Sequence, residues 1–346
     1  MNQQTQDHIN YSLLLKNNYR KGCHRLRDTL NCPTTGMEFC TNIGGVSVVF
    51  GVTSVDADKN SRELFEIMGA NQKWIDIALS TWLKDFTTFN DIDEVVTDVE
   101  RFKEVLAVPQ AFLPIPWSHA LWAKISSNAE MMELLAASEH GMAAVVSCTN
   151  GACTVLAASS TAMTAVAASS TAMTAVIGNS AALAAVVGSS TAMTAVAASS
   201  TAMTAVAASS TAMSKCAAAA AARTAIEASS VAISALAKSP LAKTVKDKPI
   251  VNANQNGTVA VNGNCWVINC RHSNGNAGGN TDSRYGLQIA TKLQDNGVHR
   301  VGNTCADTYN KDVAVSKFIK NLTPAWFGNP GTGWNGNNFT AKYIQC

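Results

Sequence analysis

The sequence predicts a multidomain α+β protein with three parts. Residues 121–248 repeat with a period of ten residues, which is the sign of a repeat architecture. Residues 1–120 have an ordinary mixed composition, whereas residues 249–346 are rich in asparagine, glycine and aromatic residues. We therefore expect a small α+β attachment domain at 1–120, a helical repeat shaft at 121–248 and a small β-rich tip domain at 249–346.

The first part combines a strand signal with a helical pattern. Residues 44–52 are rich in valine and begin with two glycines, which predicts a strand or a hairpin. Over residues 61–106 the apolar residues recur mostly three or four positions apart, as on the buried face of a helix. Residues 91–94 are acidic, so we expect a further helix to begin there. A stiff connection into the repeats is expected at three prolines: Pro109, Pro114 and Pro116.

Three copies of the repeat are identical. Residues 161–170, 191–200 and 201–210 each read T-A-M-T-A-V-A-A-S-S. Alanine fills the second position, methionine dominates the third and aliphatic residues dominate the sixth, so that these side chains share one face of a short helix. We expect these three positions to form the core, with methionine as a packing residue. Between Met142 and Cys153 the spacing is one residue longer.

Two geometries fit this period. In a trimeric coiled coil, ten residues would make three turns of about 3.33 residues, fewer than the roughly 3.6 of a relaxed helix, and strong supercoiling would follow. In a solenoid, each repeat is a short helix that ends at the Ser-Ser pair, because serine is a strong N-cap. We favour the solenoid. Left-handed residues at its helix ends are expected at four glycines: Gly141, Gly151, Gly178 and Gly188.

The repeat contains no Asp, Glu, Lys or Arg between Gly141 and Ser214. A membrane-spanning helix needs about 20 mainly apolar residues. The serine pairs and threonines interrupt each apolar run well before that length, so we predict no membrane span. An uncharged surface of this kind instead predicts self-association and a homo-oligomer.

The last part predicts strands and exposed loops. Two short strands, 258–261 and 265–270, flank Asn262-Gly263, a strong hairpin signal. The Gly/Asn-rich loops that follow offer adaptable hydrogen bonds and flat aromatic faces, which suit sugars or surface proteins. Packing inside a small domain explains each aromatic residue equally well, and Trp334, between Gly333 and Asn335, is the best candidate for exposure. The candidate receptor-binding residues are Trp334, Trp326, Tyr285, Arg271 and His272.

Composition narrows the classes of partner. The net charge is +2 and no basic cluster occurs, so we do not expect a nucleic-acid partner. The N-terminus lacks a secretory signal, which predicts synthesis in a cytoplasm without export by that route. Cys148/Cys153 and Cys265/Cys270 only loosely match metal-ligand spacing, and no histidine follows at a suitable distance. We expect reduced, buried cysteines and assign neither a metal site nor a cofactor.

The decapeptide S-S-T-A-M-T-A-V-A-A, at residues 159–168 and 189–208, resembles the Ala/Ser/Met/Val repeats of tailed-bacteriophage tail-fibre and related virion proteins. The resemblance covers about a third of the chain, and the order of the three parts is also similar to that of such fibres. It implies a virion structural protein in the phage tail, with a trimer favoured, made in the host cytoplasm. It further implies that the N-terminal domain contacts other virion proteins and that the tip recognises a host surface glycan or outer-membrane protein.

Two other functions stay open. A collar, whisker or baseplate component would share the architecture without binding a receptor. A polysaccharide-degrading fibre enzyme needs paired carboxylates on a long β-scaffold, but the last hundred or so residues contain few acids. Motifs such as G-x-S-x-G and H-E-x-x-H are absent from the sequence, so we predict no enzymatic activity and no catalytic residue.

Overall fold

The structure is a computed structural model that describes residues 92–249 without interruption. It also describes strand segments on either side and a few separate residues: 37–43, 46–52, 251–252, 260–274, 286–290, 298–301, 312–322, 324–327 and 337–346, with 72, 75, 76, 79, 83 and 87–89. The chain divides into two compact units, residues 1–182 (unit 1) and 183–346 (unit 2). Regularly repeated short helices and a small antiparallel sheet near the C-terminus make up the fold, in agreement with the predicted α+β class.

Unit 1 contains a hairpin near its start. Strand β1 (Met37–Ile43) pairs antiparallel with β2 (Val46–Val52), which confirms the strand predicted within residues 44–52. Farther along, Ile75, Leu79 and Leu83 have helical backbone and are buried. Their four-residue spacing agrees with the helical pattern predicted for this region.

The connection expected at the three prolines consists of short helices that lead into the repeats of unit 1. A 3-10 helix (Ile92–Val96) precedes α1 (Val99–Leu106), whose N-cap Asp98 accepts a hydrogen bond from the Arg101 N–H at 2.8 Å. Proline at the first position then starts α2 (Pro109–Phe112), since its fixed φ suits a first helical turn. A second 3-10 helix (Ile115–Trp117) follows.

Six helices of unit 1 continue the repeat: α3 (His119–Ser127), α4 (Ala129–Ala137), α5 (Glu139–Ser147), α6 (Ala152–Ala158), α7 (Ser160–Ala168) and α8 (Ser170–Gly178). The chain turns sharply between them, by 110° from α5 to α6 and by 103° from α7 to α8. Each later helix packs against the third helix before it: α6 on α3, α7 on α4 and α8 on α5. Three helices therefore make one turn of chain.

The same rule holds in unit 2. After α9 (Ser180–Gly188), which spans the boundary between the units, the helices are α10 (Ser190–Ala198), α11 (Ser200–Ala208), α12 (Ser210–Ala218), α13 (Ala220–Ala228) and α14 (Ser230–Ala237). Helix α13 packs on α10, and α14 packs on α11. Across 119–237 the helices end after nine residues or fewer, so the continuous helix of the coiled-coil alternative does not form.

The ninth residue of the repeat bonds in two directions. Ser169 Oγ accepts a hydrogen bond from the Ala172 N–H at 3.2 Å and donates one to the Ala136 carbonyl oxygen at 2.5 Å. The first bond caps α8, and the second joins it to the preceding turn of chain. Equivalent inter-turn bonds join Ser159 to Ser126 and Asn179 to Val146 in unit 1, and Ser229 to Ala197 and Ser239 to Ala207 in unit 2.

One extra residue lies between α5 and α6, where the sequence spacing slips. Gly151 has φ of +82°, a left-handed conformation that glycine adopts without strain, and it forms the N-cap of α6. Asn150 Nδ2 donates a hydrogen bond to the Trp117 carbonyl at 3.1 Å, and Trp122 Nε1 donates one to Ala152 at 2.9 Å. The insertion is thereby held against the preceding turn.

A left-handed conformation was expected at four glycines of the repeat. Of these four, only Gly151 adopts it. The prediction is wrong for Gly141, Gly178 and Gly188, which have no positive φ. The reason is that a single extended residue ends one helix and caps the next, as Asn179 does with φ of −112° and ψ of 118°. No left-handed turn is needed between helices joined in this way.

The predicted core positions are buried. Ala162, Met163 and Val166 are fully buried, which confirms the second, third and sixth positions of this copy. The seventh position is also buried and was not predicted: Ala197 and Ala207 are only 2% and 1% exposed. Its backbone carbonyl accepts the inter-turn bond from the cap residue, as Ala197 does from Ser229 and Ala207 from Ser239.

Unit 2 ends in two small sheets. In chain order the strands are β3 (Ala242–Pro249), β4 (Val251–Asn252), β5 (Val261–Asn274), β6 (Gly286–Ala290), β7 (Val298–Val301), β8 (Val313–Leu322), β9 (Pro324–Phe327) and β10 (Asn337–Gln345). The first sheet is antiparallel, in the order β3-β10-β5-β8. The second has the order β4-β9-β6-β7, with β4 and β9 parallel.

The hairpin predicted at Asn262-Gly263 is wrong, because β5 continues through both residues. Gly263 has φ of +88°, and the register with β8 shifts between Val261 and Asn264. The Gly263 N–H donates a hydrogen bond to Asn321 Oδ1 at 2.8 Å, and Asn321 also has a positive φ. The asparagine-glycine pair thus forms an irregularity within a strand instead of a turn between strands.

Candidate functional site

The exposed face of the repeat is neutral and hydroxyl-rich. Thr164 and Thr174 are exposed, and their Oγ1 atoms donate hydrogen bonds of 2.8 Å to the carbonyls of Ser160 and Ser170. These two hydroxyl hydrogens are therefore used within their own helices. The face presents methyl and hydroxyl groups to a partner, without charge.

Shallow grooves run between stacked helices in each unit. In unit 1 a groove of about 560 Å³ between α5 and α8 is lined by residues that include Glu139, Thr174 and Gly178. In unit 2 a groove of about 380 Å³ at α10, α13 and α14 is lined by residues that include Thr194 and Val231. Both follow from the small side chains of the repeat.

Charged side chains attach the antiparallel sheet of unit 2 to the last helices. Glu227 of α13, only 8% exposed, places Oε2 2.7 Å from Lys317 Nζ, and its Oε1 accepts the Phe318 N–H at 3.1 Å. Lys342 Nζ donates to the Ala237 carbonyl of α14 at 2.8 Å. These contacts join β8 to α13 and β10 to α14.

In two of these last helices, the seventh-position carbonyl accepts its hydrogen bond from a cationic side chain and not from a cap residue. Arg223 Nη1 donates a hydrogen bond to the Ala217 carbonyl of α12 at 2.7 Å, and Lys342 Nζ donates one to the Ala237 carbonyl of α14. A cation is favourable at a helix C-terminus, where the dipole is negative. Sequence analysis missed these residues. The available signal was Glu227, an acid in the small-residue seventh position.

One face of the sheet is directed at the helices. Lys342 bonds to α14, and alternation along β10 places Ile344 and Cys346 on the same side as Lys342. Ile344 is paired with Trp266 of β5, whose ring packs edge-to-face on Phe318 with the centroids 4.5 Å apart. The opposite face forms a separate core that contains Val267, Ile319 and Phe339.

The predicted receptor-binding residues are only partly described. Arg271 lies in β5 opposite Thr340 and is exposed, and His272 follows it opposite Phe339. Trp326 lies in β9 of the other sheet, opposite Leu287. Trp334 and Tyr285 lie outside the described residues. The described strands therefore place Arg271 and Trp326 in different sheets, and a shared site stays a prediction.

The thiols with metal-like spacing contact backbone carbonyls or lie in the sheet core. Cys148 Sγ donates to the Pro116 carbonyl at 3.6 Å and Cys153 Sγ to Val145 at 3.7 Å. Burial raises the pKa of Cys153 to about 11. Cys265 and Cys270 are fully buried in the sheet core. Within the described part of the chain, no group of three or more His, Cys, Asp or Glu side chains could hold a metal ion.

A search of the described helices for membrane spans finds no single helix that is long and apolar enough. Three bent pairs of consecutive helices reach the required length and composition together.

No protein-family model matches the chain, and no curated protein is similar to it in sequence.

Proposed function

We propose that this protein is a bacteriophage virion structural protein of the tail-fibre type. In this proposal the decapeptide repeat forms a helical solenoid shaft between an N-terminal domain that contacts the particle and a C-terminal tip that recognises the host surface. The observation that carries it is the repeated inter-turn bond from a cap side chain, as in Ser169 to Ala136 and Ser229 to Ala197.

A repeat of this kind suits a spacer. Most copies have their own polar cap residue and their own buried methionine or aliphatic residues, and several caps also bond to the turn before, so copies can be added without changing the rest of the stack. The stability of such a stack is approximately the sum of the repeats and their interfaces. The sequence supports this reading, since two adjacent copies, 191–200 and 201–210, are identical.

The assembly and the tip belong to the same proposal. The neutral, hydroxyl-rich face of the repeats supports a homo-oligomer, with a trimer favoured, in a phage tail. At the tip, Trp334, Trp326, Tyr285, Arg271 and His272 are proposed to bind a surface glycan or an outer-membrane protein. Exposed Arg271 supports this proposal most directly, since a guanidinium can donate several hydrogen bonds to sugar hydroxyls or carboxylates.

The test uses the full-length chain and intact bacteria. Fluorescently labelled protein is titrated onto a panel of bacterial cells and onto extracted surface glycan. We expect saturable binding to some strains, lost in Trp334→Ala and in Arg271→Ala. Thr204→Ala, in the exposed face of α11, is the matched control and should bind like the unaltered protein.

The alternatives give different results. A folded chain that binds no strain and no glycan would contradict a receptor-binding tip and leave a collar, whisker or baseplate role. Release of sugar fragments during the titration would instead indicate the fibre enzyme. Purified particles of the encoding phage should contain the protein by mass spectrometry, and its absence would contradict a virion role altogether.

A further inference from the structure

One helix of the repeat carries a thiol where the others carry an aliphatic side chain. From residue 156 to residue 236 the sixth position is aliphatic in every copy except one, in which it is Cys216. Cys216 is fully buried in α12. Since valine fills this position in most copies, packing alone gives no reason for a cysteine.

The exception occurs in a helix that packs against the antiparallel sheet. Helix α12 contacts β5, the strand that pairs with β10. Cys346 follows β10, and its N–H donates to the Asn264 carbonyl at 2.9 Å, which extends the pairing with β5. Because Cys346 is two residues beyond Ile344 and four beyond Lys342, alternation directs it towards the helices.

The pKa shifts of the buried thiols agree with this placement of Cys346. Burial, and after it the nearby Cys346, raises the pKa of Cys216 to about 12. Cys346 also raises the pKa of Cys265, after the larger effect of burial. Cys265, however, belongs to the core on the opposite face of the sheet, with Val267 and Ile319. Of the two thiols, Cys216 belongs to the helix that packs on this sheet, so it lies on the side towards which Cys346 is directed.

We propose that Cys216 and Cys346 form a disulfide bond that ties β10 to α12. The oxidant is a low-molecular-weight disulfide, such as glutathione disulfide. The half-buried Cys346, as thiolate, attacks one of its sulfur atoms, forming a mixed disulfide and releasing one small thiolate. The Cys216 thiolate then attacks the Cys346 sulfur and releases the second. Both cysteine sulfurs are oxidised, the small disulfide is reduced to two thiols, and these take up the two protons.

The bond acts as a covalent clamp between the repeat and the sheet within unit 2. It closes a long loop between residues 216 and 346, and cross-links of long loops restrict the unfolded chain most. The clamp does not depend on the proposed function, because it requires only the two thiols and an oxidant.

The test compares reduced and oxidised full-length protein. The chain is incubated with glutathione disulfide at pH 8.5, digested without reductant and analysed by mass spectrometry. We expect a peptide pair linked through Cys216 and Cys346, and a melting midpoint of unit 2 raised by roughly 5–15 °C relative to the reduced protein.

Two variants make the result specific. Cys216→Val restores the common residue of the sixth position, so it should fold normally while losing both the cross-link and the shift in melting midpoint. Cys265→Ser should keep the cross-link. A bond between Cys265 and Cys346, a glutathione adduct on Cys346 that never resolves, or no reaction of the folded chain would each overturn the proposal. A cross-link that lowers the melting midpoint would overturn it as well.

Discussion

Ser169 Oγ lies 2.5 Å from the carbonyl oxygen of Ala136, which precedes it by 33 residues, and accepts a hydrogen bond from the Ala172 N–H. One hydroxyl thus begins a helix and joins that helix to the turn before it. The polar side chain at the ninth position of the repeat therefore stabilises the fold.

Removing this hydroxyl should destabilise unit 1. Ser169→Ala deletes an N-cap and leaves the Ala136 carbonyl without its side-chain donor, so we expect a loss of about 1–3 kcal/mol in the free energy of unfolding. Chemical denaturation followed by circular dichroism measures it. Ser170→Ala is the control, because Ser170 is exposed and its carbonyl is unaffected. Equal effects of the two substitutions would contradict the inter-turn bond.

Charges in the core positions should unfold the repeats of unit 2. Val196 and Met203 are 1% and 0% exposed, and an unpaired buried carboxylate costs several kcal/mol. We expect Val196→Asp and Met203→Asp each to lower the melting midpoint strongly. Thr204→Asp, on the exposed face of α11, should change it little. An unchanged melting profile in the first two variants would refute the assigned core.

Two glycines should respond in opposite directions to alanine. A Cβ at Gly178 meets nothing within 4 Å, so Gly178→Ala should raise stability by up to about 1 kcal/mol through helix propensity. A Cβ at Gly141 would lie 2.7 Å from Leu135 Cδ1 and 2.9 Å from Leu106 Cδ1, so Gly141→Ala should lower stability by about 1–3 kcal/mol. Denaturant midpoints of both variants test the pair, and the same sign for both would contradict the packing around Gly141.

The ion pair between Glu227 and Lys317 should matter more than a surface pair. Lys317→Met leaves the buried Glu227 carboxylate without its cation, so we expect the free energy of unfolding to fall by about 1–3 kcal/mol. This is less than for a fully buried pair, because the Lys317 side chain is 34% exposed and solvent screens its charge. Lys320→Met is the control, since Lys320 is exposed. Hydrogen exchange should show faster opening of β8 in the Lys317 variant alone, and identical exchange in both variants would refute a role for the pair.

Stability should fall at high pH because of the buried thiols. Burial raises the pKa of Cys216, Cys265, Cys270 and Cys346 to about 12, from an ordinary value of 9.0. Between these values the unfolded chain has released protons that the folded chain retains, so each thiol's contribution is complete below pH 9 and is lost as the pH rises towards 12. Under reducing conditions, Cys216→Val should show a smaller fall over this window in denaturant titrations. An equal fall in the variant would contradict the burial of Cys216.

The repeat was largely predictable because its signals are local and recur. Ala162, Met163 and Val166 follow a helical face, and serine at the ninth position is a cap that a reader of the sequence can recognise. The burial of the seventh position could not be read in this way, because alanine occurs equally on exposed faces. Ala197 and Ala207 differ from exposed alanines because their carbonyls accept hydrogen bonds from serine side chains 32 residues later in the chain.

The sheet and the candidate site were less predictable because their determinants are distant. Asn262-Gly263 signals a positive φ, which the structure uses beside Asn321 of another strand and not in a hairpin. Likewise Glu227 and Lys342 gain a role only through contacts between the sheet and the last helices. The aromatic residues carry no local signal that separates a binding surface from a core.

The most direct test of the account is the length of the protein after an in-phase deletion. Removing residues 171–200 joins Ser170 to Thr201, preserves the repeat pattern and deletes 30 residues, or three helices. The maximum dimension is measured by small-angle X-ray scattering for both proteins. A stack of three-helix turns predicts a folded chain shorter by about 8–10 Å, the spacing of packed helices. A shortening near the roughly 45 Å of a continuous helix, or loss of cooperative melting, would contradict a shaft of stacked repeats.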